Sequence, residues 1–361
     1  MSSLSDRLHQ RIQRDGPISF RDFMEAALYD EDAGYYCREQ LPWGREGDYR
    51  TSPESSVLFA ATFARYFATL FYKLGSPSEL VLIEAGAGAG DFAVGVLETL
   101  RLRFPLVFEA TRYFIDERSL TWRALLQERL ERFGNRVEFS SIADLPLVPA
   151  GIIFSNELLD AFPVHRLMMK DGELREFFVE SDAGGEFRWA LLPPSDKRLK
   201  AHFGEAGIAL FEGQIAEVNL AIEEWFKLAS SKLKRGYVIT VDYGVEAYEL
   251  YSTSRPLGSL RAFRKHQVRE SILDDPGFQD LTTTVNWTQV KRAGEAVELK
   301  TVELKRLDGF LMSEGLLEEL EQRVVDATDN TERVQLRTSA REMILPGGMA
   351  TSFQVLIQQK Q

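Results

Sequence analysis

Leu80-Val81-Leu82-Ile83-Glu84-Ala85-Gly86-Ala87-Gly88-Ala89-Gly90-Asp91 is the stretch from which the fold can be read. Four branched apolar residues in a row read as a strand buried on both faces of a parallel sheet. The run closes on Glu84, and glycines then occupy alternate positions 86, 88 and 90. Phe92, Val94, Val96, Leu97 and Leu100 continue at helical spacing. Strand, glycine turn and helix make the first unit of an open α/β sheet, whose ligands bind beyond the carboxyl ends of its strands. Glycine is required where the backbone turns sharply against a ligand, because a Cβ has no room there.

The turn does not match a dinucleotide fingerprint, which places glycines first, third and sixth; the sixth place here is Asp91. A carboxylate at the helix start would also repel a pyrophosphate. S-adenosylmethionine carries no phosphate but does carry a sulfonium and an ammonium. An acid closing the strand, followed by Gly-x-Gly-x-Gly, suits it better. A plain tight turn in another α/β protein is the competing reading of the glycines alone.

The 361 residues suffice for about two domains or one elaborated one, and 44% hydrophobic with 27% charged residues is an ordinary globular composition. The net charge of −12 disfavours nucleic acid and anionic membranes as partners. One cysteine, Cys37, excludes an intrachain disulfide and a thiolate zinc cluster, and points to a reducing compartment. His9, His165, His202 and His266 lack metal-ligand spacing, so no metal is expected. No apolar run approaches the roughly 20 residues of a membrane span, and residues 1–16 lack a signal core. The expected location is the cytoplasm, with the mitochondrial matrix as the alternative for a eukaryotic chain.

Outward from the turn, Ala110–Ile115 reads as a second strand ending at Asp116 and Glu117, where a carboxylate, taken as Asp116, can accept both hydroxyls of a ribose. Val137–Phe139 and Gly151–Phe154 read as the third and fourth strands. The fourth runs into Asn156, Glu157 and Asp160, polar groups whose burial at a strand end is costly unless they bind something or cap the next helix. Val164–Val179 alternates around Asp171-Gly172 as a hairpin, with a third short strand at Phe187–Leu192 and a loop over 193–211. Glu217–Lys234 is amphipathic, and Tyr237–Val241 is a fifth strand closing on Asp242-Tyr243-Gly244. Leu281–Val290 and Phe353–Gln359 read as the last strands, with helices at 313–326 and 331–344. Upstream, Leu4, Leu8 and Ile12 keep helical spacing, Ser19 caps a second helix, and an apolar helix spans Val57–Leu74. Before that helix, Thr51 and Ser52 precede Pro53 and Glu54 as a helix start.

These pieces together resemble the MidA-type class I S-adenosylmethionine-dependent methyltransferases, the family whose mitochondrial members act as complex I assembly factors. The resemblance runs from Gly16 to the C-terminal strand. It rests on Gly16-Pro17-Ile18, Gly34-Tyr35-Tyr36, Gly47-Asp48-Tyr49 with Thr51-Ser52-Pro53-Glu54, and the Glu84–Gly90 turn. It continues in Asn156-Glu157 with Asp160-Ala161-Phe162-Pro163, in Asp242-Tyr243-Gly244 and in Asp280-Leu281-Thr282. Where the family has Gly-Pro-Gly-Arg-Gly-Thr, this chain has Ala87, Ala89 and Asp91 in place of proline, arginine and threonine.

The resemblance implies a Rossmann-like α/β sheet with an N-terminal helical region and an antiparallel insertion. The expected division is a helical lid over 1–75 and a methyltransferase domain over 76–361, the latter with an insertion at about 164–212 and an elaboration at about 245–361. It also implies S-adenosyl-L-methionine as cofactor, bound by Glu84, Gly86, Gly88, Gly90, Asp116, Thr51, Ser52 and Asn156. A protein arginine, in a respiratory complex subunit, is the implied acceptor. Glu157, Asp160 and Asn156 are the catalytic candidates, with Asp48, Tyr49, Glu54, Asp242 and Tyr243 on the substrate side. A noncatalytic assembly chaperone on the same fold and a nicotinamide-dependent oxidoreductase are the alternatives at this point.

Overall fold

The computed structural model describes residues 3–38, 56–182, 184–264, 267–345 and 351–361. In chain order, α1 (Leu4–Asp15), β1 (Ile18–Ser19) and α2 (Phe20–Tyr29) precede α3 (Val57–Lys73), β2 (Leu80–Ala85), α4 (Asp91–Arg103) and α5 (Pro105–Ala110). β3 (Thr111–Asp116), α6 (Leu120–Leu130), β4 (Val137–Phe139) and β5 (Gly151–Asn156) follow. Next come β6 (His165–Lys170), β7 (Glu173–Ser181), β8 (Phe187–Leu192), α7 (Arg198–Ala206), β9 (Ile215–Val218) and α8 (Ala221–Lys232). The chain continues through β10 (Gly236–Val245), α9 (Ala247–Leu250), β11 (Arg261–Arg264), β12 (Gln267–Arg269), β13 (Asp280–Thr282), β14 (Val285–Asn286) and α10 (Trp287–Glu295). It ends with β15 (Lys300–Arg306), α11 (Leu307–Ser313), α12 (Leu316–Asp326), α13 (Asn330–Ile344) and β16 (Phe353–Lys360).

Two compact units result. One comprises residues 1–50, 159–225 and 244–293; the other comprises 51–158, 226–243 and 294–361. Helix α3, grouped by the sequence reading with the lid over 1–75, belongs to the second unit.

That second unit carries the central sheet, in the order β15-β16-β10-β5-β2-β3-β4. Strands β10, β5, β2, β3 and β4 run parallel, while β15 and β16 are antiparallel additions. β2 and β5 are buried along their whole length, as their continuous apolar runs require. The order reverses between β5 and β2, the crevice where open α/β sheets take their ligands. One face is packed by α3 and α4 through stacked rings. Phe92 lies 4.2 Å from Phe154 at an interplanar angle of 9°, and Phe63 contacts Phe59, Phe154 and Phe310. Ser56 caps α3 by accepting from the Leu58 amide.

The first unit holds a five-stranded antiparallel sheet, β1-β7-β6-β9 with β8 on β7, and a three-stranded sheet β12-β11-β13. The β6–β7 hairpin turns at Asp171-Gly172, both left-handed at φ 54° and 73°, as an Asp-Gly hairpin turn demands. Ser19 caps α2 by accepting from the Asp22 amide.

Three local expectations need correction. Glu217 belongs to strand β9 and its helix starts only at Ala221, because cross-strand pairing of Arg166 with Glu217 overrides the helical periodicity. Residues 198–206 within the expected loop form α7, which buries Leu199 and Phe203. The stretch Leu281–Val290 is divided between β13, β14 and α10. Strand β15 is too polar and exposed to show an alternating pattern, and pairing with β16 recruits it.

Candidate functional site

The glycine turn sits where the strand register gathers carboxyl ends. Ala85 is opposite Asp116 on β3 and opposite Ser155 on β5, while Asn156 faces Val241 on β10. The candidates on Glu84, Asp116, Asn156 and Glu157 therefore share one edge of the sheet, with Asp242 one residue beyond Val241.

Gly86, Gly88 and Gly90 all have positive φ (73°, 51° and 80°). A Cβ on Gly90 would meet Leu126 Cδ2 at 2.3 Å, and one on Gly86 would meet Leu158 Cδ1 at 3.1 Å. The turn thus presents backbone rather than side chain at the strand ends. Gly86 donates its amide to the Asp116 carbonyl at 2.9 Å, and Gly90 to Ala87 at 2.8 Å.

Acid groups surround this turn. Glu84 is buried, and Tyr113 Oη donates to its Oε2 at 2.7 Å. Burial pushes its carboxyl up to about 8, with nearby Glu117 adding to the rise and Tyr113 opposing it. Asp116 is also raised by burial, although its Oδ2 accepts from the Ile142 amide at 3.0 Å. Glu117, which the sequence places at the strand end beside Asp116 without a role, bonds to the turn. Its Oε2 accepts from the Gly88 amide at 3.3 Å and its Oε1 from the Ser119 amide at 2.9 Å. It too is raised by burial. It stands between the end of β3 and Ser119, the cap of α6.

Asp91 meets a cation. Arg129 from α6 donates to the Asp91 carboxylate and to the Ala89 carbonyl. The ion pair from the neighbouring helix thus offsets the Asp91 charge at the α4 N-terminus.

At the end of β5, Glu157 adopts the left-handed conformation with φ 49°, a costly state for a residue with a Cβ. Its amide donates to the Val241 carbonyl at 3.0 Å, and Asn156 Nδ2 donates to its Oε1 at 3.4 Å. The chain is held so that both side chains leave the strand end together. Asp242 is fully buried and accepts from the Tyr243 amide at 2.9 Å, while the Tyr243 ring lies 5.7 Å from Phe353. Asp160 belongs to the first unit, where its carbonyl accepts from the Thr283 amide at 3.0 Å. Asp48, Tyr49, Thr51, Ser52 and Glu54 lie outside the described residues.

Two buried carboxyls and the half-buried Asp116, all raised by desolvation beside the glycine turn, fit a cationic, phosphate-free ligand and disfavour a pyrophosphate. No helix among the described residues is long and apolar enough to cross a membrane.

Comparison with known proteins agrees with this chemistry. Residues 62–304 match a family described as "Putative S-adenosyl-L-methionine-dependent methyltransferase". A crystal structure from Burkholderia thailandensis bound to S-adenosyl-homocysteine is 28% identical with a TM-score of 0.89, over 99% of this chain and 92% of that one. The chain is also similar to the mitochondrial protein arginine methyltransferase NDUFAF7 homolog of Drosophila melanogaster, at 28% identity over 81% of this chain and 70% of the relative. It is similar to NDUFAF7 of Homo sapiens at 26% identity over 96% and 81%. Both names are mitochondrial and lend no support to the cytoplasmic expectation, while the chaperone and nicotinamide readings are not favoured. S-adenosyl-L-methionine is the cofactor, and the chain belongs to the S-adenosyl-L-methionine-dependent methyltransferase family whose model it matches.

Proposed function

We propose that this methyltransferase transfers its methyl group to an arginine of a protein, with a respiratory complex subunit as the first acceptor to try. The relatives named as protein arginine methyltransferases support the acceptor class. The observation that carries the reading is Glu157, strained at φ 49° beside Asn156 at the carboxyl end of β5.

When bound, the cofactor supplies a sulfonium methyl that leaves by in-line displacement. The protein's task is to align the partners and keep water out. An arginine stays protonated near neutral pH, so a carboxylate must grip the guanidinium, direct one nitrogen and take the proton that this nitrogen gives up as it is methylated. Glu157 takes that part, and Asn156 orients it. Glu117 and the Gly88 amide, within hydrogen-bond reach of each other, would hold the cofactor's ribose hydroxyls. Glu84, once ionised, would balance the cofactor's cationic portion.

The test is radiolabelled methyl transfer into a lysate, with mass spectrometry of the labelled protein. Glu157→Gln is expected to bind S-adenosyl-homocysteine like the parent and to lose transfer by at least about a hundredfold. Label on a residue other than arginine refutes the acceptor, and undiminished transfer removes Glu157 from the chemistry.

A further inference from the structure

Glu84 closes β2 as a buried acid, and its one hydrogen-bond donor among the described residues is a tyrosine. Tyr113, on β3 and buried as well, reaches along the sheet and donates its hydroxyl to Glu84 Oε2 at 2.7 Å. In register, Tyr113 lies opposite Leu82, while Glu84 lies opposite Ile115 on β3 and Phe154 on β5. The strand neighbours of the carboxyl are therefore apolar. No cation among the described residues pairs with it: Arg129, at the start of α4, is engaged by Asp91, and the charge that acts on Glu84 is that of Glu117, of the same sign. A carboxyl in such a place keeps its proton near neutral pH unless a cation arrives, and burial accordingly raises Glu84 to about 8.

The cofactor and its product differ in this one respect. In S-adenosylmethionine a sulfonium and an ammonium stand against a single carboxylate, which leaves a net positive charge. The thioether of S-adenosyl-homocysteine leaves none. Methyl transfer thus removes the charge that an ionised Glu84 balances, while adenine, ribose and the amino-acid end stay the same.

We propose that Glu84 and Tyr113 let this protein tell its charged cofactor from the neutral product. Glu84 is an anion when S-adenosylmethionine is bound and a neutral acid when S-adenosyl-homocysteine is bound, and Tyr113 is the positioning residue that favours the anion. The protons balance: Glu84 gives one to solvent as the cofactor binds and takes one back once the sulfonium has become a thioether. This rests on the cofactor lying at the glycine turn and is independent of the acceptor.

The test is calorimetry on the full-length protein without acceptor, in buffers of different ionisation heat. Between about pH 6.5 and about pH 8, affinity for S-adenosylmethionine should rise about tenfold with proton release, while affinity for S-adenosyl-homocysteine stays level without it. Sinefungin, with an ammonium in place of the sulfonium, should follow S-adenosylmethionine. Burial also raises Asp116 and Glu117, but the ribose that Glu117 would hold is common to all three ligands, so both acids drop out of the affinity ratio. Glu84→Gln cannot ionise, and its ratio should not change with pH. Tyr113→Phe keeps the ring and removes the donor, so the rise should move up by about one pH unit. A parent ratio indifferent to pH, or a pH dependence that survives in Glu84→Gln, overturns the proposal. A Tyr113→Phe profile that matches the parent removes the tyrosine from it. Glu84→Gln binding both ligands like the parent at every pH places the failure in the siting of the cofactor. Affinity lowered equally for both places it in the discrimination alone.

Discussion

Replacing Glu84 by glutamine tests the electrostatics of the turn directly. Burial raises this carboxyl from 4.5 to about 8 in the folded protein. Between those values the unfolded chain gives up the proton that the native chain keeps. The contribution of Glu84 to stability is therefore fully present below pH 4.5, falls as pH rises, and is spent above about pH 8. At about 1.4 kcal/mol per pH unit the loss amounts to roughly 3 kcal/mol by pH 7 and roughly 5 kcal/mol once Glu84 ionises. Glutamine keeps the bond from Tyr113 and has no proton to lose, so the variant should lack this decline. The assay is unfolding of the ligand-free protein from pH 5 to 8.5, parent against Glu84→Gln. Subtraction cancels Asp116 and Glu217, whose carboxyls burial raises in the same direction, and leaves Glu84 with its coupling to Glu117. A cationic ligand beside Glu84 must also pull its pKa down, so calorimetry at pH 7 should show proton release on binding S-adenosylmethionine, absent in the variant. Parallel stability curves with no buffer dependence of the binding heat would refute the reasoning.

Glu117→Gln should weaken S-adenosyl-homocysteine binding at least about tenfold, because its carboxylate bonds the Gly88 amide of the turn, and Asp116→Asn much less, because the Asp116 carboxylate bonds the Ile142 amide instead. Calorimetry giving the reverse order would return the ribose to Asp116. Gly90→Ala should cost about 1–3 kcal/mol in denaturant unfolding and impair cofactor binding, since φ is +80° and buried Leu126 stands 2.3 Å from the new Cβ. His202, held neutral by burial at about 4 and bonded through Nε2 to Tyr251 Oη at 3.0 Å, makes the protein acid-sensitive. The unfolded histidine takes up a proton below pH 6.5, so stability falls by about 3 kcal/mol between pH 6.5 and 4. His202→Phe should flatten that part of the curve.

The sequence by itself determined the parallel core. Leu80–Ile83 and Ile152–Phe154 could only be strands buried on both faces, and Gly86, Gly88 and Gly90 could only be a turn that presents backbone, because both signals are local. Motif order likewise placed Asn156 and Glu157 at the same sheet edge as that turn, where strand register puts them. What the sequence could not decide was which acid faces inward after β3. Asp116 and Glu117 are adjacent, and the choice depends on where β3 stops and where Ser119 caps α6, which leaves Glu117 bonded to the Gly88 amide. Nor could it show that Arg129 reaches Asp91 from 38 residues away, or that Glu217 leaves its helical pattern to pair with Arg166. Long-range ion pairs and cross-strand registers leave no periodicity in the chain, so only the tertiary structure decides them.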